Sequence, residues 1–258
     1  MRIGGLLIAV VCLSVSTLGA QNVDTLNIMT YNLRFGELAS MEDMAAFINE
    51  VKPDIVALQE CDWKTKRERA PLQNGKAFVN ELAYFTEMFG LYGKAIDYKE
   101  GYYGIGILSK YPVVRSERIF LPNPKPETEQ RVMLVADIEL PDKMILTFIC
   151  IHLEVLSLKA REEQVQFINE WIKNAKNPVI LAGDLNATPT EKEIENGFSD
   201  WREMTGTECT FSTSDPRIKI DYIFGYPENN MEMISTKTHT ECMLSDHFPV
   251  SSVISIIF

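Results

Sequence analysis

The sequence predicts one α/β domain of about ten strands. Three observations carry that expectation. Short apolar runs recur along the chain, amphipathic helical stripes lie between them, and no low-complexity tract or charge block divides the 258 residues. A hydrophobic share of 46% with 24% charged residues is ordinary globular usage, which excludes a disordered or collagen-like chain. Lys and Arg total 25 against 36 Asp and Glu, a formal charge of −11. A field of that sign repels polyanions, so a broad, sequence-independent grip on nucleic acid is not expected, while a metal-using hydrolase stays open.

The N-terminus is set aside before the elements are read. Met1-Arg2 is a short positive start, Leu6 to Val15 is apolar except for Ser14, and Ser16-Thr17-Leu18-Gly19-Ala20 leads to Gln21. This is the pattern of a signal peptide over residues 1–20, with an uncleaved anchor as the rival reading. The run is short for a bilayer, and no other stretch is long and apolar enough to cross one. The domain then covers residues 21–258; losing only Arg2 leaves 24 basic and 36 acidic residues, a charge of −12. Export places Cys61, Cys150, Cys209 and Cys242 in an oxidising compartment without CxxC spacing. Cys209 with Cys242 is the pair that best suits a bridge, and four free thiols is the equal alternative.

In chain order, Asp24 to Asn32 alternates as a strand. Ser40 caps a helix with Asp43 three residues on, Met44, Phe47, Ile48 and Val51 form its stripe, and Pro53 stops it. Asp54 to Leu58 is a continuous apolar strand leading into Gln59-Glu60. Phe78, Leu82, Phe85 and Phe89 share the face of a second helix ending at Gly90. Strands follow at Tyr103–Val114, Arg131–Leu140 and Met144–Leu153, with Pro122, Pro124 and Pro126 in a loop. Val165, Ile168, Ile172 and Ala175 stripe a third helix, which Asn177-Pro178 ends. Val179 to Ala182 is a buried strand, and Thr190 with Glu193 caps a short helix. Later strands are expected at Cys209–Ser212, Lys219–Phe224, Met231–His239 and Phe248–Phe258.

Polar residues at the ends of, or interrupting, these apolar runs are the informative set: Asn32, Glu60, His152, Asp184, Asn186, Asp221, Asp246 and His247. Open α/β sheets place their sites at such strand ends. Unpaired buried charge is expensive, so carboxylates converging there need a common partner. A hard divalent cation satisfies several oxygens at once. Carboxylate and amide oxygens suit Mg²⁺ or Mn²⁺, and the absence of a HExxH or multi-Cys arrangement disfavours zinc. His239 matches nothing in the set and is expected to be exposed.

Seven short motifs now occur in order: Tyr31-Asn32-Leu33-Arg34-Phe35, Leu58-Gln59-Glu60, Gly104 to Ser109, Ile151-His152-Leu153, Gly183-Asp184-Leu185-Asn186, Ile220-Asp221-Tyr222-Ile223 and Ser245-Asp246-His247-Phe248-Pro249. Over nearly the whole chain from Leu26 to Val253 this resembles the endonuclease/exonuclease/phosphatase superfamily, the fold of DNase I. The resemblance implies a four-layer sandwich, two packed β-sheets flanked by helices, and metal-dependent phosphoester hydrolysis. By that resemblance Glu60 is the metal carboxylate, with Asn32 orienting it and Asp246 assisting the metal or the water. Asp184 aligns and deprotonates the attacking water, and Asn186 donates to the developing phosphorane. His247 binds the phosphate, oriented by Asp221. His152 stands opposite, able to neutralise or protonate the leaving oxygen. Arg34 and Arg131 are candidate phosphate contacts, each with a surface ion pair as the alternative.

The substrate is less defined: a small molecule, a lipid head group or nucleic acid. Lys219-Ile220-Asp221-Tyr222 departs from the PAWCDR-type motif of the inositol-phosphate phosphatases. Arg34 replaces the acidic residue of abasic-site enzymes and resembles the DNase I arrangement. The acid excess argues against a DNase-like grip on duplex. A silent binding module on the same fold is the rival class. A monomer is expected. Asn186-Ala187-Thr188 is also a glycosylation sequon, and a glycan there would block the cleft the resemblance assigns to Asn186. A bacterial periplasmic or secreted protein is therefore expected.

Overall fold

The computed structural model describes residues 23–124 and 128–258; the expected signal peptide and Pro126 of the expected loop lie outside them. The elements run β1 (Val23–Asn32), α1 (Met41–Val51), β2 (Ile55–Trp63), α2 (Phe78–Thr86), β3 (Phe89–Tyr98), β4 (Gly101–Ser109), β5 (Val113–Phe120) and β6 (Val132–Glu139). They continue with β7 (Ile145–His152), α3 (Leu158–Ile172), β8 (Val179–Asp184), α4 (Lys192–Glu195), β9 (Arg202–Glu203), β10 (Asp221–Tyr226), β11 (Met231–Thr238) and β12 (Val250–Ile257). Two six-stranded sheets result, ordered β11-β12-β1-β2-β4-β3 and β5-β6-β7-β8-β10-β9.

Side-chain alternation explains why the sheets stack and why helices cover them. Leu26 and Ile28 of β1, Ile55 and Ala57 of β2, Phe148 and Cys150 of β7, and Ile180 and Ala182 of β8 share one core between the sheets. The opposite faces of β1 and β2, through Met29, Tyr31, Val56 and Leu58, pack against α1 and α2. Those of β7 and β8, through Ile149, Ile151, Val179 and Leu181, pack against α3. Strands buried on both faces read as unbroken apolar runs. The expected sandwich of two sheets flanked by helices is the observed one.

Parity then places the polar ends. Counting in twos from the inter-sheet residues, Asn32 follows Leu26 and Ile28, His152 follows Phe148 and Cys150, and Asp184 follows Ile180 and Ala182. Asp221 precedes Ile223, another inter-sheet residue. All four therefore point between the sheets at the same end. His152 pairs in register with Asp184, and Asp184 with Asp221, so three polar residues form one row across β7, β8 and β10.

Gly183 makes that row possible. A Cβ there would sit 2.1 Å from the carbonyl oxygen of Ile151 on the neighbouring strand. Gly183→Ala is expected to destabilise the protein by about 1–3 kcal/mol, as overpacking does. Denaturant midpoints check it, and an unchanged midpoint would show that β7 and β8 can separate freely.

Several expectations need correction. The second helix stops at Thr86 because Glu87 turns left-handed (φ 56°), and Phe89 begins β3 as an exposed residue. The run from Tyr103 to Val114 divides between β4 and β5, and Ala175 falls beyond α3. Glu191, not Thr190, stands at the N-cap of α4 and makes no side-chain cap bond. Cys209 to Ser212 forms only two isolated bridges, from Phe211 to Ile218 and to His247. Cys209 and Cys242 are both free, as are Cys61 and Cys150. His239 is buried, not exposed: its Nε2 lies 2.8 Å from Ser251 Oγ and its ring meets Phe47 edge-on. Among the described residues no helix is long and apolar enough to cross a membrane.

Candidate active site

At the polar end of the inter-sheet core opens a cleft of about 400 Å³, whose lining includes Glu60, Arg131, His152, Asp184, Asn186 and His247. Asn32 lies at its floor. Its Nδ2 donates to Asp184 Oδ2 at 3.0 Å and to Glu60 Oε1 at 3.3 Å, while its Oδ1 accepts the Arg34 amide. Ser245 fixes the floor by donating to the Asn32 carbonyl at 2.7 Å.

Glu60 reaches the cleft by breaking the alternation of its strand. Gln59 points between the sheets and donates to Cys150, and Cys61 packs on the helical side. Glu60 between them adopts a left-handed backbone (φ 55°) where the β2–β4 register shifts. A bulge of this kind re-aims a side chain at some backbone cost. Burial pushes the Glu60 carboxyl up, with the charge of His247 opposing. Among the described residues it has no ion-pair partner within 4.0 Å, and its bond from Asn32 is long.

Asp184 and His247 form the electrostatic centre. Asp184 Oδ1 accepts the amide of Asn186 in an Asx turn, with Asn186 itself left-handed (φ 49°). Its Oδ2 faces Asn32, His152 Nε2 at 3.4 Å and His247 Nε2 at 3.7 Å. Burial raises the Asp184 carboxyl to about 7 against the pull of His247. His247 Nδ1 lies 2.9 Å from Asp221 Oδ2. Burial opposes its charge, but Asp221 and Asp184 outweigh that and carry the imidazole to about 10. Asp221 Oδ1 is buried without a hydrogen-bond partner, and Thr210 Oγ1 receives the Asp221 amide.

His152 differs from its expected charge state. Burial, then the charges of Arg131 and His247, hold it well below the usual imidazole range. The neutral imidazole is thereby favoured, which weakens a role in neutralising a leaving oxygen. Asn186 Nδ2 donates to the Leu153 carbonyl, which orients the side chain at the cleft wall.

The two arginines are committed to acids. Arg34 follows a left-handed turn (φ 44°) and joins Glu37 through Nε and Asp246 through Nη1, both at 2.5 Å. Asp246 is thus neutralised by a guanidinium. Arg131 is buried between Glu129 and Glu154. Neither pair is the exposed surface contact weighed for these arginines. Asp184, Asp221 and His247 could hold a metal by distance alone, their ligand atoms lying within 4.8 Å of one another. The bond between His247 Nδ1 and Asp221 also makes them a hydrogen-bonded dyad beside the Asp184 carboxylate. Glu60 is the carboxylate that still lacks a cation.

The motifs and the candidate Arg131 account for every lining residue except Tyr103, Glu129, Val155, Phe211 and Ile218. No sequence signal marks these five: Tyr103 comes from within β4 and the other four from loops.

Comparison with known proteins agrees with the geometry. The uncharacterized protein YbhP of Escherichia coli K12 is 24% identical over 243 residues, covering 90% of this chain and 95% of YbhP. A Bacteroides vulgatus endonuclease/exonuclease/phosphatase superposes with TM-score 0.73 at 20% identity, over 90% of this chain and 99% of that one. A Bacteroides thetaiotaomicron mannosyl-6-phosphatase superposes with TM-score 0.70 at 18% identity, over 89% and 99%. These likenesses show the shared fold. The model of one family matches residues 29–247, and on that match the chain belongs to the endonuclease/exonuclease/phosphatase family.

Proposed function

We propose that this protein is a divalent-metal-dependent phosphoester hydrolase in which Asp184 takes a proton from the attacking water. The observation that carries the reading is the meeting of Asp184 with the Asp221–His247 dyad at one end of a polar cleft. Family membership supports it, as does the fold shared with a protein named as a mannosyl-6-phosphatase.

The residues present fit a hard cation: Glu60 is a half-buried carboxylate facing the cleft, without an ion-pair partner among the described residues and beside an amide side chain. Glu60 and Asn32 would hold it, Mg²⁺ suiting the oxygen donors and Mn²⁺ being able to replace it. When bound, such an ion supplies charge that offsets the phosphate's and polarises phosphorus.

This chain's own groups do the rest. The water oxygen bonds to phosphorus as the ester P–O bond breaks, the water's proton passes to the Asp184 carboxylate, and the leaving oxygen takes a proton from solvent. His247, held cationic by Asp221, faces the charge that develops on the phosphoryl oxygens, and Asn186 adds an amide donor. Arg34 keeps Nη2 outside its two ion pairs, the one guanidinium nitrogen left for a phosphate contact. Asp246 serves by holding Arg34. His152 hydrogen-bonds without charge. Export from a bacterium is part of the same reading, because Asn186 sits at the wall of the cleft where a glycan would close it.

The test is a panel of phosphoesters: plasmid DNA, RNA, sphingomyelin, inositol phosphates, a sugar phosphate and chromogenic mono- and diesters, each with Mg²⁺ or Mn²⁺. Hydrolysis of at least one at a rate that depends on Asp184 is the expected result. No turnover of any of them contradicts the reading.

The pH profile follows from the two shifted groups. Asp184 must be deprotonated to act as base, so activity rises with pH through about 7. His247 must stay protonated, so activity falls again as pH approaches about 10. A rate already at its plateau at about pH 5 would contradict the base assignment.

A further inference from the structure

Beside the phosphate-facing groups the cleft carries an acid that the mechanism does not use. Glu129 and Arg131 both line the cleft, the one a third exposed and the other buried. Glu129 Oε1 lies 3.0 Å from Arg131 Nη1, and Glu154 Oε2, buried behind, lies 3.6 Å from Arg131 Nε. Neither contact is aligned as a hydrogen bond: among the described residues Arg131 Nε, Glu129 Oε1 and Glu154 Oε2 are all buried without a hydrogen-bond partner. Two carboxylates thus face one guanidinium, and the cluster keeps one surplus negative charge.

An arginine alone at a phosphate site is an anion clamp. Here its charge is already spoken for, and the surplus acts through a partly desolvated wall where charges are felt more strongly than in water. Elsewhere in the lining, Val155, Phe211 and Ile218 offer no cation. Among the described residues of the lining the cations are His247 and Arg131, and Arg131 already faces two acids, so a second anion beside the phosphate would meet Glu129.

We propose that Glu129 is a specificity-determining residue that rejects substrates bearing a second anionic group beside the scissile phosphate, leaving phosphoesters of uncharged alcohols as the preferred class. This rests on the cleft being a phosphoester site. Glu129→Gln removes the charge at constant shape and releases Arg131 to take the second anion.

The experiment titrates the full mature chain and Glu129→Gln calorimetrically with orthophosphate and with pyrophosphate at one fixed free Mg²⁺ concentration. The affinity for pyrophosphate relative to orthophosphate is expected to rise about tenfold in the variant, the scale of one nearby charge. Glu129→Ala, with an unaltered melting temperature as the folding check, shifts the ratio in the same direction. In kinetics, kcat/KM for a terminally phosphorylated dinucleotide relative to the same dinucleotide without that phosphate rises by a similar factor. An unchanged ratio overturns the proposal. So does an equal loss of both ligands, the mark of a residue that merely holds Arg131 in place. Should the wild type hydrolyse no phosphoester, the catalytic reading fails, while the binding ratio still decides the role of Glu129.

Discussion

Asp184→Asn is expected to lower the chemical step by about 10²-fold or more while leaving the fold intact. The substitution keeps the shape and leaves Oδ1 able to accept the Asn186 amide, so the Asx turn survives. What it removes is the proton acceptor. It also changes the balance of the cluster, since Asn32 donates to Asp184 Oδ2 and both histidines face that oxygen. Single-turnover rates separate the chemical step from binding. An Asp184→Asn enzyme within about threefold of wild type, far below the range general bases supply, would remove Asp184 from the role of base.

His247→Gln has the second large effect, and it acts on both rate and stability. Loss of a preorganised cation at the developing phosphoryl charge costs about 10²–10³ in kcat. Asp221, buried at 1% exposure, is left without its imidazole partner, and breaking a buried pair in this way costs about 3–5 kcal/mol. The stability effect has a defined pH dependence. The folded-state pKa of His247 is raised from 6.5 to about 10, so its contribution is fully present below 6.5 and is lost as pH rises through about 10. Denaturant unfolding of the two proteins should differ most below about pH 6.5 and converge in alkali. A gap that widens above about pH 10 would contradict the charge state assigned to His247.

Much of this site was legible because it sits where strands end. Asn32, His152 and Asp184 each continue the inter-sheet parity of an apolar run, and once the runs are read the convergence follows. Glu60 was legible only from its motif: simple alternation puts it on the helical face, and the left-handed bulge that turns it back is invisible in residue types. The charge state of His152 was misread because the sequence does not show that Arg131 and His247 come close to it in the fold. The acids that occupy Arg34 and Arg131 were hidden for the same reason. Asp246 is far along the chain from Arg34, and Glu154 belongs to a loop after β7. The second helix was overextended because Phe78, Leu82, Phe85 and Phe89 keep helical spacing across a real break at Glu87.

The central claim is that this strand-end cluster hydrolyses phosphoesters with a divalent ion held by Glu60. The most direct measurement is the hydrolysis rate of the best substrate from the panel after exhaustive chelation, then with Mg²⁺ restored stepwise, for the wild type and for Glu60→Gln. The wild type is predicted to lose activity in chelator and regain it with Mg²⁺, while Glu60→Gln needs far more Mg²⁺ or recovers nothing. Full activity in chelator, or identical Mg²⁺ dependence in the two proteins, would contradict it.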